Sequence, residues 1–270
     1  MAKDPTRTLT IRRRSASQIQ RRFKRVKKRL STFMSTSTNL ITNEGQDFTF
    51  VRDASKLTQF AIWFETVLDE EIMRIDNGFE KKDHWLNVSI GEAYIRGALK
   101  TRSGVERLTT KLNKVENYNP LLNNAHVERS ELIFERAFEN LSGVSKTTAD
   151  QVRRVLAEGI LQGKNPAVVA REMADRVEKI GITRAKLISR TEIVESHNTA
   201  SITEAKILAE ETGQNIQMRW LTALDERVRS SHAPRHNQIY EFDTAQALIG
   251  EPNCRCSITA HVDLDKLLEE

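Results

Sequence analysis

Apolar residues recur at helical spacing over most of the chain, and alternation replaces that spacing only towards the end. Ile19, Phe23, Val26, Leu30 and Phe33 lie three or four residues apart, which predicts an amphipathic helix whose polar face carries Arg21, Arg22, Arg25, Lys28 and Arg29. Residues 35–49 read as a linker, with Phe48 and Phe50 marking a short strand. Leu57, Phe60, Ala61, Phe64, Val67 and Leu68 form the next stripe, stopped near Asn77-Gly78. Helices are predicted from Trp85 to about Lys100 and from Ala125 to Leu141, with Asn119-Pro120 breaking the chain between them. Ser142-Gly143 is read as another break, followed by helices over 146–162 and 166–179. Asn165 caps the second of these, Pro166 takes its first position and Gly181 ends it. A long helix from Thr183 to Glu211 stops at Thr212-Gly213.

After that stop the period becomes two. Ile216, Met218 and Trp220 predict one strand, Ile239, Tyr240 and Phe242 a second, and Cys256, Ile258 and Ala260 a third, with a short helix starting after Thr222. The fold class is therefore α+β, predominantly α-helical, with a helical N-terminal region and a C-terminal domain that packs a long helix on a small β-sheet. The expected organisation is a basic arm with its helix and linker over 1–49, a helical region over 50–142, a C-terminal domain over 143–262 and an acidic tail over 263–270.

Charge divides the chain unevenly. Residues 1–30 hold twelve Lys or Arg and one acid, whereas the other 240 residues hold thirty basic and thirty-six acidic residues. A basic arm on a mildly acidic body points to phosphates or to an acidic partner. The cations expected to make that contact are Arg12, Arg13, Arg14, Arg21, Arg22, Lys24, Arg25, Lys27, Lys28 and Arg29. No apolar run is long enough to span a bilayer, and the first residues lack the apolar core of a secretion signal. Two cysteines one residue apart make no disulfide framework, which points to a reducing compartment.

Chemistry-bearing residues gather in the last third. Arg190-Thr191-Glu192 and Asn198 lie on the long helix, where Arg190 and Glu192 must face different partners and Arg190 can hold a carboxylate from the sheet. Thr222 to Asp225 fits a capping box, and Asp225 with Arg229 fits an ion pair one turn apart. His232 then continues the same polar stripe, and Asp225, Arg229 and His232 together suit acid–base or metal-assisted chemistry, the basis of a nuclease alternative. His232, His236, Cys254 and Cys256 offer two nitrogens and two thiolates, a tetrahedral set suited to structural zinc. Buried reduced thiols explain the cysteines equally, and Pro234 between the histidines opposes a single helix face.

In order, Arg190-Thr191-Glu192, Asn198, Trp220, Asp225-Glu226-Arg227-Val228-Arg229, His232 and Pro252-Asn253-Cys254-Arg255-Cys256 resemble the head morphogenesis (Mu F-like) family of tailed bacteriophages. The resemblance covers about 150–260, including a Gly163-x-x-Pro166-x-x-Val169-Ala170 lead-in; His236-Asn237 stands where members often carry Asp or Asn followed by Gly. It implies a minor head protein associated with the portal protein inside the capsid. Such a protein contacts packaged double-stranded DNA and other head proteins, acts in head assembly or genome ejection, and is a virion component with no membrane partner. It implies no catalytic residue, so the chain is expected not to be an enzyme. Arg190, Thr191, Glu192, Asn198, Trp220, Asp225, Arg229 and His232 are then structural residues of the domain. The arm remains open to either DNA or an acidic portal surface.

Overall fold

A computed structural model describes residues 4–36, 41–44, 47–50, 54–76, 78, 80–108 and 117–263. The predicted stop at Asn77, the middle of the 35–49 linker and the acidic tail beyond Asp263 lie outside the described residues. The fold is α+β and predominantly helical. It comprises α1 (Leu9–Thr36), β1 (Ile41–Glu44), β2 (Asp47–Phe50), α2 (Ala54–Leu68), α3 (Trp85–Glu106), α4 (Asn124–Leu161), α5 (Pro166–Thr212), β3 (Ile216–Leu221), β4 (Ile239–Tyr240), α6 (Phe242–Leu248) and β5 (Ser257–Val262). Two compact units interleave along the chain: Met1–Arg14, Lys81–Ala137 and Leu187–Glu270 form unit 1, and Ser15–Glu80 with Phe138–Lys186 form unit 2. None of the helices is long and apolar enough, among the described residues, to cross a membrane.

Unit 2 is built on the apolar stripe of α1. Ile19, Phe23, Val26 and Leu30 are buried, as are Phe60, Phe64, Val67 and Leu68 of α2. Phe33 stacks on Trp63 with ring centroids 3.9 Å apart. Each such side chain contributes roughly 1.5–3 kcal/mol on burial, so this part of the basic segment is core structure and not a free arm. Gly181 belongs to this packing. It does not end a helix: α5 runs through it, because a Cβ there would stand 2.5 Å from the Cβ of Phe23. The glycine serves close approach, and the predicted separate helices over 166–179 and 183–211 are one. Ser142-Gly143 likewise lies inside α4, where the buried Leu141, Val144, Ala149 and Val152 carry the apolar face across the glycine. The cost of a helical glycine, about 1 kcal/mol, is small beside that burial.

Unit 1 holds the antiparallel sheet, in the order β4-β3-β5. Central β3 pairs Met218 with Tyr240 of β4, and Trp220 with Ile258 of β5. The predicted alternation is seen in β3, where Ile216, Met218 and Trp220 point inward. They pack in one cluster with Ile202, Ala205 and Leu208 of α5, Ala245 of α6, and Cys256, Ile258 and Val262. The second strand is shorter than expected, since Phe242 opens α6 instead of extending β4. A further difference follows Thr222. Residues 222–232 form turns, not a helix, and Leu224 adopts a positive φ of 52°.

A polar network threads the helical part of unit 1. Glu204 of α5 is fully buried and accepts from Arg102 Nε at 2.6 Å, His126 Nε2 at 2.8 Å and the Tyr118 hydroxyl at 2.8 Å. The Arg102 guanidinium also lies 4.0 Å over the Tyr118 ring. The hydroxyl of Tyr94 meets His126 Nδ1 at 3.0 Å. With Nε2–H donated to Glu204, Nδ1 of His126 is the acceptor of that contact.

Candidate functional site

The C-terminal constellation is assembled by the turns on either side of β4 and α6. His232 precedes a short 3-10 turn over Ala233–Arg235 and is 1% exposed. Its Nε2 lies 2.8 Å from Glu251 Oε1. An Nε2–H donated to that carboxylate leaves the Nδ1 lone pair free, and Nδ1 faces the sulfurs of both Cys254 and Cys256 at 3.5 Å. The turn carrying Glu251 is tied down twice: Arg229 Nη1 donates to Glu251 Oε2 at 2.7 Å, and Asn253 N donates to Thr191 Oγ1 at 3.0 Å. The hydrogen bond from His232, helped by Arg229 and Arg235, holds the Glu251 carboxyl below the usual range. Between the thiols the acidities diverge. The Cys256 S–H and N–H stabilise the Cys254 thiolate and lower its pKa, while hydrogen bonding to Cys254 and burial push Cys256 up.

His236 does not join this group. Its Nδ1 accepts from the Thr222 backbone N–H at 3.0 Å and closes the 222–236 loop. Pro234 and the 3-10 turn separate the two rings, so the spacing expected of one α-helical face does not apply. The absence of a helix after Thr222 also re-pairs the acids and bases. Asp225 meets the guanidinium of Arg255 through two contacts, one of 2.6 Å, and caps Arg227 N at 3.1 Å. Arg229 goes to Glu251 and to the carbonyl of Pro252. Arg190 holds no carboxylate among the described residues. Its side chain lines a cavity of about 170 Å³ together with Arg227, His232, Cys254 and Cys256, and burial followed by the charges of Arg12, Arg255 and Arg227 lowers its pKa.

The remaining motif residues join elements. Glu192, buried, receives Arg136 Nη2 of α4 at 2.9 Å, so Arg190 and Glu192 do reach different surroundings. Asn198 donates to the Cys256 carbonyl at 3.0 Å and accepts from Ile258 N at 3.2 Å, as a neighbouring strand would. Trp220 is buried with its ring edge-on to His232, centroids 5.6 Å apart, and Arg235 lies 5.2 Å from the indole. Replacing Asn198 by Ala strands one buried donor and one acceptor, and a loss of about 2 kcal/mol is expected. Asn198→Asp keeps the acceptor for Ile258 N but sets a buried carboxylate oxygen against the Cys256 carbonyl, and should lose at least as much. Denaturant titration with amide exchange at Ile258 checks this, and unchanged protection in Asn198→Ala would contradict it.

The ten basic candidates separate into two groups. Arg12 pairs with Asp4, Arg14 with Glu92, Arg22 with Asp76, Arg25 with Glu71, Lys27 with Glu178 and Arg29 with Glu70. Arg13, Arg21, Lys24 and Lys28 are exposed and form no salt bridge among the described residues. Arg21, Lys24 and Lys28 are spaced along one helical face.

Residues 150–259 match the family described as Phage Mu protein F like protein. This segment is similar to that family. The match begins within α4, takes in α5 and β3, and ends within β5. A protein of Haemophilus influenzae (strain ATCC 51907 / DSM 11121 / KW20 / Rd), named only as an uncharacterized protein, is 26% identical over 212 residues. That alignment covers 72% of this chain and 43% of the relative. No solved structure matches. Within the Mu F-like segment, Gly163 closes α4 at a φ of +63°, with Lys164 N bonded to Gly159 O at 2.9 Å, and Asn165 Oδ1 caps Ala167 N at 2.9 Å to start α5. Sequence reasoning missed Glu251, although it stands directly before Pro252-Asn253-Cys254-Arg255-Cys256 and supplies the acid on His232. It also missed Glu204, whose partners come from distant segments.

Proposed function

We propose that the chain is a minor head protein of a tailed bacteriophage, lying inside the capsid beside the portal and acting in head assembly, genome ejection or both. The observation carrying this reading is the Mu F-like match over 150–259, a head morphogenesis family. Its motif residues serve as joints: Thr191, Glu192, Asn198, Asp225 and Arg229 each bind a second segment of the same unit. The nuclease alternative gains no support from the geometry, because Asp225 is engaged by Arg255 while His232 faces Glu251 and the thiols. Contact with packaged DNA falls to Arg21, Lys24 and Lys28, an exposed face of α1 that forms no salt bridge among the described residues, through phosphates and without sequence preference.

Mass spectrometry of purified particles and a map of the portal vertex test the placement. Absence of the chain from both mature particles and head precursors would refute it. DNA contact is tested by reversing Arg21, Lys24 and Lys28 to Glu in the full chain. Affinity for non-specific duplex should fall, and the log–log salt slope should drop by roughly 1 for each phosphate no longer neutralised. An unchanged slope assigns the face to a protein partner instead.

A further inference from the structure

His232, Cys254 and Cys256 present one nitrogen and two sulfurs, all within 4.8 Å of one another, in the wall of the unit 1 cavity. The nitrogen stands 3.5 Å from each sulfur. A tetrahedral zinc ion with Zn–N of about 2.0–2.1 Å and Zn–S of about 2.3 Å requires a nitrogen–sulfur separation of roughly 3.5 Å. The match is that of a coordination shell, and both Nδ1 contacts satisfy it together. Glu251 Oε1 at 2.8 Å from Nε2 supplies the carboxylate that orients a metal-binding histidine and raises its basicity. His232 and Cys256 are almost completely buried and Cys254 is half-buried, so two of the three donors are already desolvated.

From this geometry we infer that His232 Nδ1, Cys254 Sγ and Cys256 Sγ hold a thiophilic divalent cation of the zinc class, with Glu251 orienting the imidazole. His236 is excluded from the shell, because its Nδ1 is occupied by Thr222. The fourth position opens on the cavity lined by Arg190 and Arg227, which suits a water or a small anion. Arg255, between the two thiols, turns away to Asp225 and leaves both sulfurs on one side. The ion would close a ring between the β5 entry and the 222–236 loop, a joining role of the kind structural zinc serves.

The full chain, purified without chelators or metal-affinity steps, should contain about one zinc by elemental analysis. Cobalt(II) added to the stripped chain should give thiolate charge-transfer bands and tetrahedral d–d bands. Cys254→Ser should lose the charge-transfer intensity and most of the bound metal. Glu251→Gln should weaken binding by roughly 10–100-fold with the spectrum retained. His236→Ala should bind as the native chain does. The native chain supplies a readout free of folding effects: its only two thiols should be protected from iodoacetamide by added zinc and exposed again by chelator. A chain that binds neither zinc nor cobalt at micromolar concentration and gains no thiol protection overturns the inference. Loss of metal in His236→Ala equal to that in Cys254→Ser overturns the ligand set.

Discussion

Glu204→Ala should lower the stability of unit 1 by roughly 3–5 kcal/mol, the usual cost of removing one partner from a buried ion pair. The variant leaves the Arg102 guanidinium, at 4% side-chain exposure, without its closest carboxylate, and His126 Nε2 and the Tyr118 hydroxyl without an acceptor. Glu211 remains near Arg102 Nη2 at 3.2 Å, but its side chain is 43% exposed and replaces little of that interaction. Glu204→Gln should cost less, because it keeps one acceptor oxygen and the packed volume. Trp85 and Trp220 lie in unit 1 and Trp63 in unit 2, so indole fluorescence during urea titration in a Trp63→Phe background follows the relevant transition. A loss below about 1 kcal/mol in Glu204→Ala would mean that water reaches the network and repairs it.

Acidification should destabilise unit 1 through His197. This residue of α5 is fully buried; among the described residues its Nε2 has no hydrogen-bond partner and Nδ1 reaches Asn198 Oδ1 at 3.4 Å. Burial, reinforced by the charge of Lys100 and opposed less strongly by Asn198 and Asp4, lowers its pKa from 6.5 to about 4. Above pH 6.5 both folded and unfolded chains carry a neutral ring, so the group adds no pH dependence. Between 6.5 and about 4 the unfolded chain takes up a proton that the folded chain refuses, and stability falls with pH; below about 4 both are charged and the loss levels off. The total is about 3 kcal/mol at 1.36 kcal/mol per pKa unit. His197→Gln should remove this component. From pH 7 to pH 4.5 the unfolding free energy of the native chain should therefore fall by roughly 2–3 kcal/mol relative to that of the variant, and parallel curves would contradict the assignment.

What the sequence disclosed follows the range of the interactions involved. The stripes of α1 and α2, the cap at Asn165-Pro166 and the alternation of β3 are local patterns, and they appear where the spacing placed them. Gly181 and Gly143 misled because a glycine within a helical pattern looks the same whether it ends the helix, admits a neighbour such as Phe23 or is simply tolerated. Asp225 and Arg229 misled for a related reason. Their four-residue spacing has meaning only on a helix, and the turn geometry of 222–232 sends them to Arg255 and Glu251. His232 was legible beside Cys254 and Cys256, whereas His236 was assigned to them by spacing alone. The Glu204 network was invisible, since Arg102, Tyr118 and His126 come from segments whose meeting no local pattern records.

The amide of Asn198 has a bearing on how this protein behaves when crowded. A three-stranded sheet has two outer margins, and an unsatisfied margin invites a strand from another molecule. Along β5 the first invitation is already answered: the Ile258 N–H and the Cys256 carbonyl are engaged by a side chain of α5. A foreign strand would have to evict Asn198 before its own backbone could register there. On the opposite margin β4 spans only two residues and α6 begins two residues later, which leaves little template for recruitment. Addition of a foreign strand is thus disfavoured at the start of β5 and along the two-residue β4.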